Sequence, residues 1–405
     1  MIAAAFMTTL GMANLALAWA LGLLWVFHLL DAARGMPKVE EITRKEWNVP
    51  PEWIISCETN RSTPSISIVV PARNEARTIE PALRSLRKLD YPNYEVIVID
   101  DRSTDGTGEI IRGVAAEGGI VPIRVISVRD LPPHWLGKTH AMWLGACESE
   151  SDWILFTDAD VVFRPDSVRR AIAYAEKQET DHLVLLPTML TYTPGERMMT
   201  ALFQALIGFG HRPWKVADPD ARDYIGVGAF NMIRRSVYEK IGTYERLRLS
   251  IMDDMDLGRL VKKCHYHQRC AFGRNLARIH WAQGMMGIVH NVTKNFFAYM
   301  RYKPWIAIAT ACALLLLNVW PFVAVFFSAD WATVGYVAAL VSILAIYAGT
   351  APKSGIGPWY FFTHPIAASL FAYAVVLSAV TTMKQGGVEW RGTLYSLEEL
   401  RKFVD

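Results

Sequence analysis

Apolar positions fall into two regimes along the chain. Residues 2–30 are nearly all apolar and carry no Lys, Arg, Asp or Glu. That run exceeds the roughly 20 residues a helix needs to cross a bilayer, and it lacks the basic n-region of a secretory signal. Three further long apolar runs lie at 305–327, 331–349 and about 359–382. The region between the two ends alternates differently. Short apolar segments at Ile66–Val70, Glu95–Asp100, Ile123–Val128 and Trp153–Thr157 are separated by amphipathic stretches at about 76–89, 106–116 and 138–149. Strands spaced by helices in this way predict βαβ units and a mostly parallel sheet, hence an α/β fold.

The expected organisation is an N-terminal transmembrane helix over 1–30 and a juxtamembrane linker over 31–63, rich in charge and holding Pro50-Pro51. A catalytic α/β domain over 64–304, a membrane region over 305–382 with two or three spans, and a tail over 383–405 follow. Residues 198–214, apolar with a polar end and too short to span, read either as packed core or as an interfacial helix, and 283–305, where aromatic residues gather among basic ones, reads similarly.

Composition adds limits. The chain has 405 residues, 52% hydrophobic and 20% charged, which excludes disorder. Forty-two basic against 39 acidic side chains leave a net charge of +3, too small for nucleic acid to be the main partner. Arg34, Lys38, Arg44 and Lys45 follow the first span, and Lys294, Arg301 and Lys303 precede the second, so the positive-inside rule puts 31–304 in the cytoplasm of an inner-membrane protein. The five cysteines then lie in reducing surroundings or in lipid, so no disulfide framework is expected. The tail conflicts with a simple count. Three spans would place it outside, yet it holds Lys384, Arg391, Arg401 and Lys402. Either it is external, or one run is re-entrant or interfacial; Pro321 and His364-Pro365 interrupt the apolar pattern.

In open α/β sheets ligands bind beyond the carboxyl ends of the strands. Those segments are polar here: Pro71-Ala72-Arg73-Asn74-Glu75 after the first strand, Asp100-Asp101-Arg102-Ser103-Thr104-Asp105-Gly106-Thr107 after the second, and Asp158-Ala159-Asp160 after the fourth. Helix capping accounts for Asn74, Ser103 or Asp105. It does not account for Glu75, Asp100, Asp101, Asp158 and Asp160 at one sheet edge, where like charges need a cation or a donor-rich ligand. Gly137-Lys138-Thr139 lacks the first glycine of a P-loop, and Gly226-Val227-Gly228 lacks the third of a dinucleotide fingerprint, so both are rejected. Cys264 to Cys270, with two histidines between them, does not have zinc-ligand spacing.

These motifs, with Asp253-Asp254 further on, resemble family 2 glycosyltransferases of the GT-A fold, in family order over about 65–260. Trp135-Leu-Gly-Lys138, Lys294-Asn-Phe-Phe-Ala298 and Trp390-Arg-Gly-Thr393 resemble a membrane-bound branch similar to ceramide glucosyltransferases and hopanoid- or carotenoid-associated glycosyltransferases. The resemblance implies a nucleotide-sugar donor, UDP-linked by preference, with Pro71, Ala72, Asn74, Glu75, Asp100, Asp101, Ser103, Asp105, Lys138, Asp158 and Ala159 on the donor side. It implies Mg²⁺ or Mn²⁺ on Asp158 and Asp160, and Asp254 as the catalytic base supported by Asp253. Three aspartates at 253, 254 and 256 also complement a helix N-terminus, so both readings stand. Processive synthases carry Gln-x-x-Arg-Trp after the base; Arg278-Ile-His-Trp281 departs from it, which implies transfer of one sugar to a membrane lipid, with Arg278 and Trp281 on the acceptor side. The competing readings are a processive polysaccharide synthase and an inactive nucleotide-sugar-binding scaffold.

Overall fold

The computed structural model describes residues 2–119 and 121–404, and side chains over 11–119 and 121–403. Met1 of the expected first span and Asp405 of the tail lie outside the described residues. The chain divides into two compact units, Pro37–Leu190 with Pro213–His280, and Met1–Met36 with Thr191–Arg212 and Trp281–Asp405.

The first unit is built on a seven-stranded mixed sheet. Its strands are β1 (Ile66–Ala72), β2 (Tyr94–Asp101), β3 (Ile123–Val128), β4 (Trp153–Phe156), β6 (His182–Leu186), β8 (Asn231–Arg234) and β9 (Gln268–Phe272), in the order β3-β2-β1-β4-β8-β6-β9. Only β8 runs against its neighbours. A second, three-stranded sheet joins β5 (Val162–Phe163), β10 (Ala277–Ile279) and β7 (Thr188–Met189).

The four strands predicted from the sequence are present, each within two residues of its expected ends. β1, β2 and β4 read as nearly continuous apolar runs because both faces of the sheet are covered there, whereas β3 is an edge strand with Arg124 and Ser127 exposed. Ile66, Ile68, Val70, Val96 and Val98 pack beneath α2 (Ile79–Leu86), α3 (Thr107–Ala116) and α5 (Ser167–Lys177). Val69, Ile97, Ile99 and Phe156 face α4 (Gly137–Cys147), α7 (Arg235–Lys240) and α8 (Asp253–Lys263). Gly145 brings α4 onto β1 so closely that a Cβ there would meet Val69 Cγ1 at 2.5 Å. Residues 37–63 pack on this unit as well: Ile42 N–H donates to Phe272 O over 2.9 Å, and the Trp47 ring stands 4.9 Å from Tyr174.

The second unit is helical: α1 (Ile2–Gly35), α6 (Pro194–Gly210), α9 (Gly284–Tyr299), α10 (Pro304–Asn318), α11 (Trp320–Ala324), α12 (Asp330–Ser354), α13 (His364–Gln385), a hairpin of β11 (Gly387–Trp390) and β12 (Thr393–Ser396), and α14 (Leu397–Val404). Among the described residues four helical segments are long and apolar enough to cross a membrane: Gly11–Lys38, Pro304–Ala324, Asp330–Ser354 and Pro358–Gln385. α6 begins with a capping box, in which Thr193 and Glu196 satisfy each other's backbone N–H groups.

The helix ends locate the tail. Asp31 lies 3.9 Å from Arg212, Tyr299 OH lies 3.1 Å from His211, and Arg401 Nη2 donates to Tyr302 O over 3.0 Å. The end of α1, the end of α9, the start of α10 and the tail therefore share one end of this unit. α1 and α12 run in the same direction, with Asn14 Nδ2 donating to Ser328 Oγ, just before α12, over 3.3 Å and Gly22 against Gly335 further along both helices. α13 does not start at the far end. His364 bonds Asn318, the last residue of α10, at 3.0 Å, and Tyr347, inside α12, at 2.9 Å. The chain leaving α12 at Ser354 thus turns inward through a 3₁₀ segment at Pro358–Thr363, and α13 carries it back to the end where α10 begins.

Candidate functional site

The loops after β1 and β2 are joined to each other. Asn74, in a left-handed conformation at φ 55°, donates its N–H to Ser103 Oγ and accepts from the Thr104 N–H at 2.9 Å. Asp105 takes the Ala76 N–H at 3.1 Å and the Thr107 N–H at 3.1 Å, and Glu75 N–H donates to Thr107 Oγ1. Asn74, Ser103 and Asp105 are therefore loop-to-loop fasteners. Capping of α2 is not their task, since the N-cap there is Thr78. Glu75 Oε2 accepts from Thr78. Pro71 and Ala72 close β1, with Ala72 paired to Asp100 in register.

The adjacent carboxylates of Asp100 and Asp101 differ. Asp101 is buried and engaged by Arg102 Nε at 2.7 Å and Arg73 Nη1 at 3.7 Å. Asp100 is also buried, but its Oδ1 has no hydrogen-bond partner. A buried carboxylate oxygen left open costs free energy unless a donor arrives, so it marks a place for a ligand N–H or O–H. Gly108 makes room for that carboxylate; a Cβ there would come within 2.3 Å of Asp100 Oδ2.

Asp158, Ala159 and Asp160 follow β4. Lys138, in the first turn of α4, places Nζ 2.9 Å from Asp158 Oδ1 and 3.3 Å from Asp253 Oδ2. Burial opposes the lysine charge, but Asp158, Asp253 and Asp254 outweigh it and hold its pKa above the ordinary lysine value. Asp160 is pushed up to about 7, chiefly by burial and then by Asp158 and Glu75. Asp253 is also pushed up to about 7 by burial, against the pull of Lys138.

Asp254 opens α8. Its Oδ2 accepts the Gly228 N–H at 2.9 Å and its Oδ1 the Met255 N–H at 2.7 Å. Burial raises its pKa, while Lys138 and these two N–H groups pull the other way. Two glycines shape the contact. A Cβ on Gly226 would lie 1.8 Å from Asp254 O, and one on Gly228 would lie 2.4 Å from Asp158 Oδ2. Sequence reasoning set this Gly-Val-Gly aside as a failed dinucleotide motif, although two glycines one residue apart outside a predicted turn signal close approach. Arg278 is exposed on β10 and pairs in register with Val162, two residues beyond Asp160. Trp281 belongs to the helical unit, its ring 5.2 Å from Phe203.

Among the described residues no cluster of three His, Cys, Asp or Glu side chains could hold a metal unaided. Asp158 and Asp160 nevertheless offer the carboxylate oxygens that a hard divalent cation completed by phosphate oxygens takes.

Residues 67–242 match Glycosyl transferase family 2. The chain carries a family 2 glycosyltransferase domain. The chain is also similar to 4,4'-diaponeurosporenoate glycosyltransferase of Staphylococcus haemolyticus, 28% identical over 205 residues, covering 50% of this chain and 53% of the relative. The Staphylococcus aureus (strain bovine RF122 / ET3-1) protein of the same name is 29% identical over 196 residues, 48% of this chain and 50% of its own. The chain thus spans about half the length of the curated relatives it matches. The solved structure of mannosyltransferase PcManGT from Pyrobaculum calidifontis, in complex with GDP-Man and Mn2+, aligns with TM-score 0.51 and 18% identity over 91% of this chain and 99% of that one. The glycosyltransferase domain therefore has the GT-A-like mixed sheet expected from its motifs.

Proposed function

We propose that this chain is an inverting glycosyltransferase that moves one sugar from a nucleotide-sugar donor, UDP-linked by preference, to a membrane lipid. The observation that carries the reading is Asp254. It is a half-buried carboxylate with a raised pKa, fixed by two backbone N–H groups and set across Lys138 from Asp158. A general base needs that combination of elevated basicity and fixed aim.

In the proposed reaction Asp254 takes the acceptor hydroxyl proton as the oxygen bonds to the anomeric carbon. The bond from that carbon to the diphosphate breaks with inversion, and the nucleoside diphosphate departs with the electron pair. Asp253 holds Lys138, and Lys138 meets the charge developing on the diphosphate. Asp100 Oδ1 accepts an imide N–H of the base, as uracil N3–H or guanine N1–H would offer. Asp158 and Asp160 would hold Mg²⁺ or Mn²⁺, which neutralises the leaving diphosphate as a Lewis acid when bound. A lipid acceptor is supported by the long apolar helices and by relatives whose name specifies a carotenoid acid. We place Arg278 and Trp281 on the acceptor side.

The four apolar segments support an integral protein of the cell membrane, with the glycosyltransferase domain facing the cytoplasm. The bond of His364 to Asn318 and that of Arg401 to Tyr302 O support a re-entrant course for Pro358–Gln385, with the basic tail on the side of the other basic segments.

The experiment is sugar transfer to extracted lipid in detergent with a panel of UDP- and GDP-sugars, run with Mn²⁺, Mg²⁺ or EDTA. A single sugar on lipid, dependent on metal, is the expected product. Polymer, or nucleotide binding without turnover under every condition, contradicts the reading.

A further inference from the structure

At the end of the helical unit where the tail returns, Arg301, Tyr302, Lys303, Pro304, Trp305 and Arg401 line a cleft of about 170 Å³. Three cations face it, and among the described residues none of them forms a salt bridge. Arg401 is held at the cleft by its bond to Tyr302 O, at 3.0 Å.

The backbone is arranged at some cost. α9 ends with Tyr302 N–H bonded to Phe297 O and Arg301 N–H to Ala298 O, the pairing that normally ends in a left-handed glycine. Here Arg301 and Tyr302 occupy that region, at φ 51° and 53°. Two adjacent non-glycine residues in this conformation persist only where their side chains are needed or over-determined. Lys303, the N-cap of α10, supplies no side-chain acceptor to the helix start. An anion in the cleft would meet both the helix N-terminus and the three side chains. Trp305, 67% exposed, stands beside the cleft on the first turn of an apolar helix, where a head-group-level aromatic is expected.

We infer that this cleft is a binding site for the phosphate of an anionic phospholipid, separate from the donor site. It seats the start of α10 and the returning tail on the membrane face. The inference rests on the proposed membrane insertion and not on the catalytic assignment.

The test uses the full-length chain, purified and delipidated in detergent without donor. Thermal shift is titrated with short-chain phosphatidylglycerol, phosphatidylcholine or inorganic phosphate. Phosphatidylglycerol is expected to raise the melting temperature where phosphatidylcholine does not. Its half-saturating concentration should rise at least about tenfold in Lys303→Gln and Arg301→Gly. Glycine at 301 suits the local φ, so that variant removes the guanidinium without straining the fold. Lys384→Gln, a charge-matched change outside the cleft, should titrate as the wild type. Equal shifts with both lipids, wild-type titration of both cleft variants, or equal loss in Lys384→Gln would overturn the proposal. An equal effect of inorganic phosphate at the same concentration would overturn the lipid as its source. A variant that binds phosphatidylglycerol normally but transfers no sugar bears only on the catalytic reading.

Discussion

Lys138 Nζ sits 2.9 Å from Asp158 Oδ1 and links the end of β4 to the start of α8 through its second contact, to Asp253. Without it two partly buried carboxylates face each other unbalanced. Lys138→Gln is therefore expected to destabilise the fold by about 2 kcal/mol, since it breaks a buried charge cluster by removing one member. It should also weaken nucleotide binding. Urea melts and nucleotide titrations measure the two effects; unchanged stability and affinity together would show that the contact is incidental.

Asp100 predicts a separation of binding from stability. Its Oδ1 is buried and open, so removing the carboxylate costs the free protein little. Asp100→Ala should weaken nucleotide affinity at least about tenfold, one lost charge-assisted bond, with little change in melting temperature. Calorimetric titration with UDP decides it, and wild-type affinity would contradict the assignment.

The glycines separate room from flexibility. Gly226→Ala sets a Cβ against the backbone of Asp254, which cannot rotate away, and should cost about 1–3 kcal/mol together with transfer activity. Gly113→Ala on α3 meets nothing within 4 Å and should instead stabilise by about 0.5–1 kcal/mol. Comparable melts for the two variants would refute the cradle.

Acid should weaken the sheet unit through His182. Burial depresses its pKa to about 4, and as the neutral ring it donates to Asn231 and accepts from Gln268 at 2.7 Å. The unfolded chain binds this proton near the usual 6.5, whereas the folded one does not until about pH 4. Stability from this site is thus full above pH 6.5 and falls progressively towards pH 4, by about 3 kcal/mol in all. Urea midpoints across that range should fall less steeply in His182→Gln. Parallel profiles would assign the acid sensitivity elsewhere.

β1, β2 and β4 were legible because each buries both faces and stands as an apolar run, as Ile66–Ala72 and Tyr94–Asp101 do. Polar residues after those runs marked the edge at which the donor site is proposed. The antiparallel β8 between β4 and β6 was not legible, since that pairing joins segments some 75 residues apart in the chain. Lys138 bridging Asp158 and Asp253 was hidden for the same reason, as was the capture of Asp101 by Arg73. The returning tail had a local signal in Lys384, Arg391, Arg401 and Lys402. The sequence left open whether the tail was external or one run re-entrant, and the bond from His364 to Asn318 reveals the inward turn.

The central claim is that Asp254 removes the acceptor proton. Asp254→Asn keeps the side chain's size while abolishing the base, so single-turnover transfer from a pre-bound donor should fall about 10²–10⁴-fold with donor affinity within a few-fold of wild type. Transfer at close to the wild-type rate, or a loss explained wholly by weaker donor binding, would contradict it.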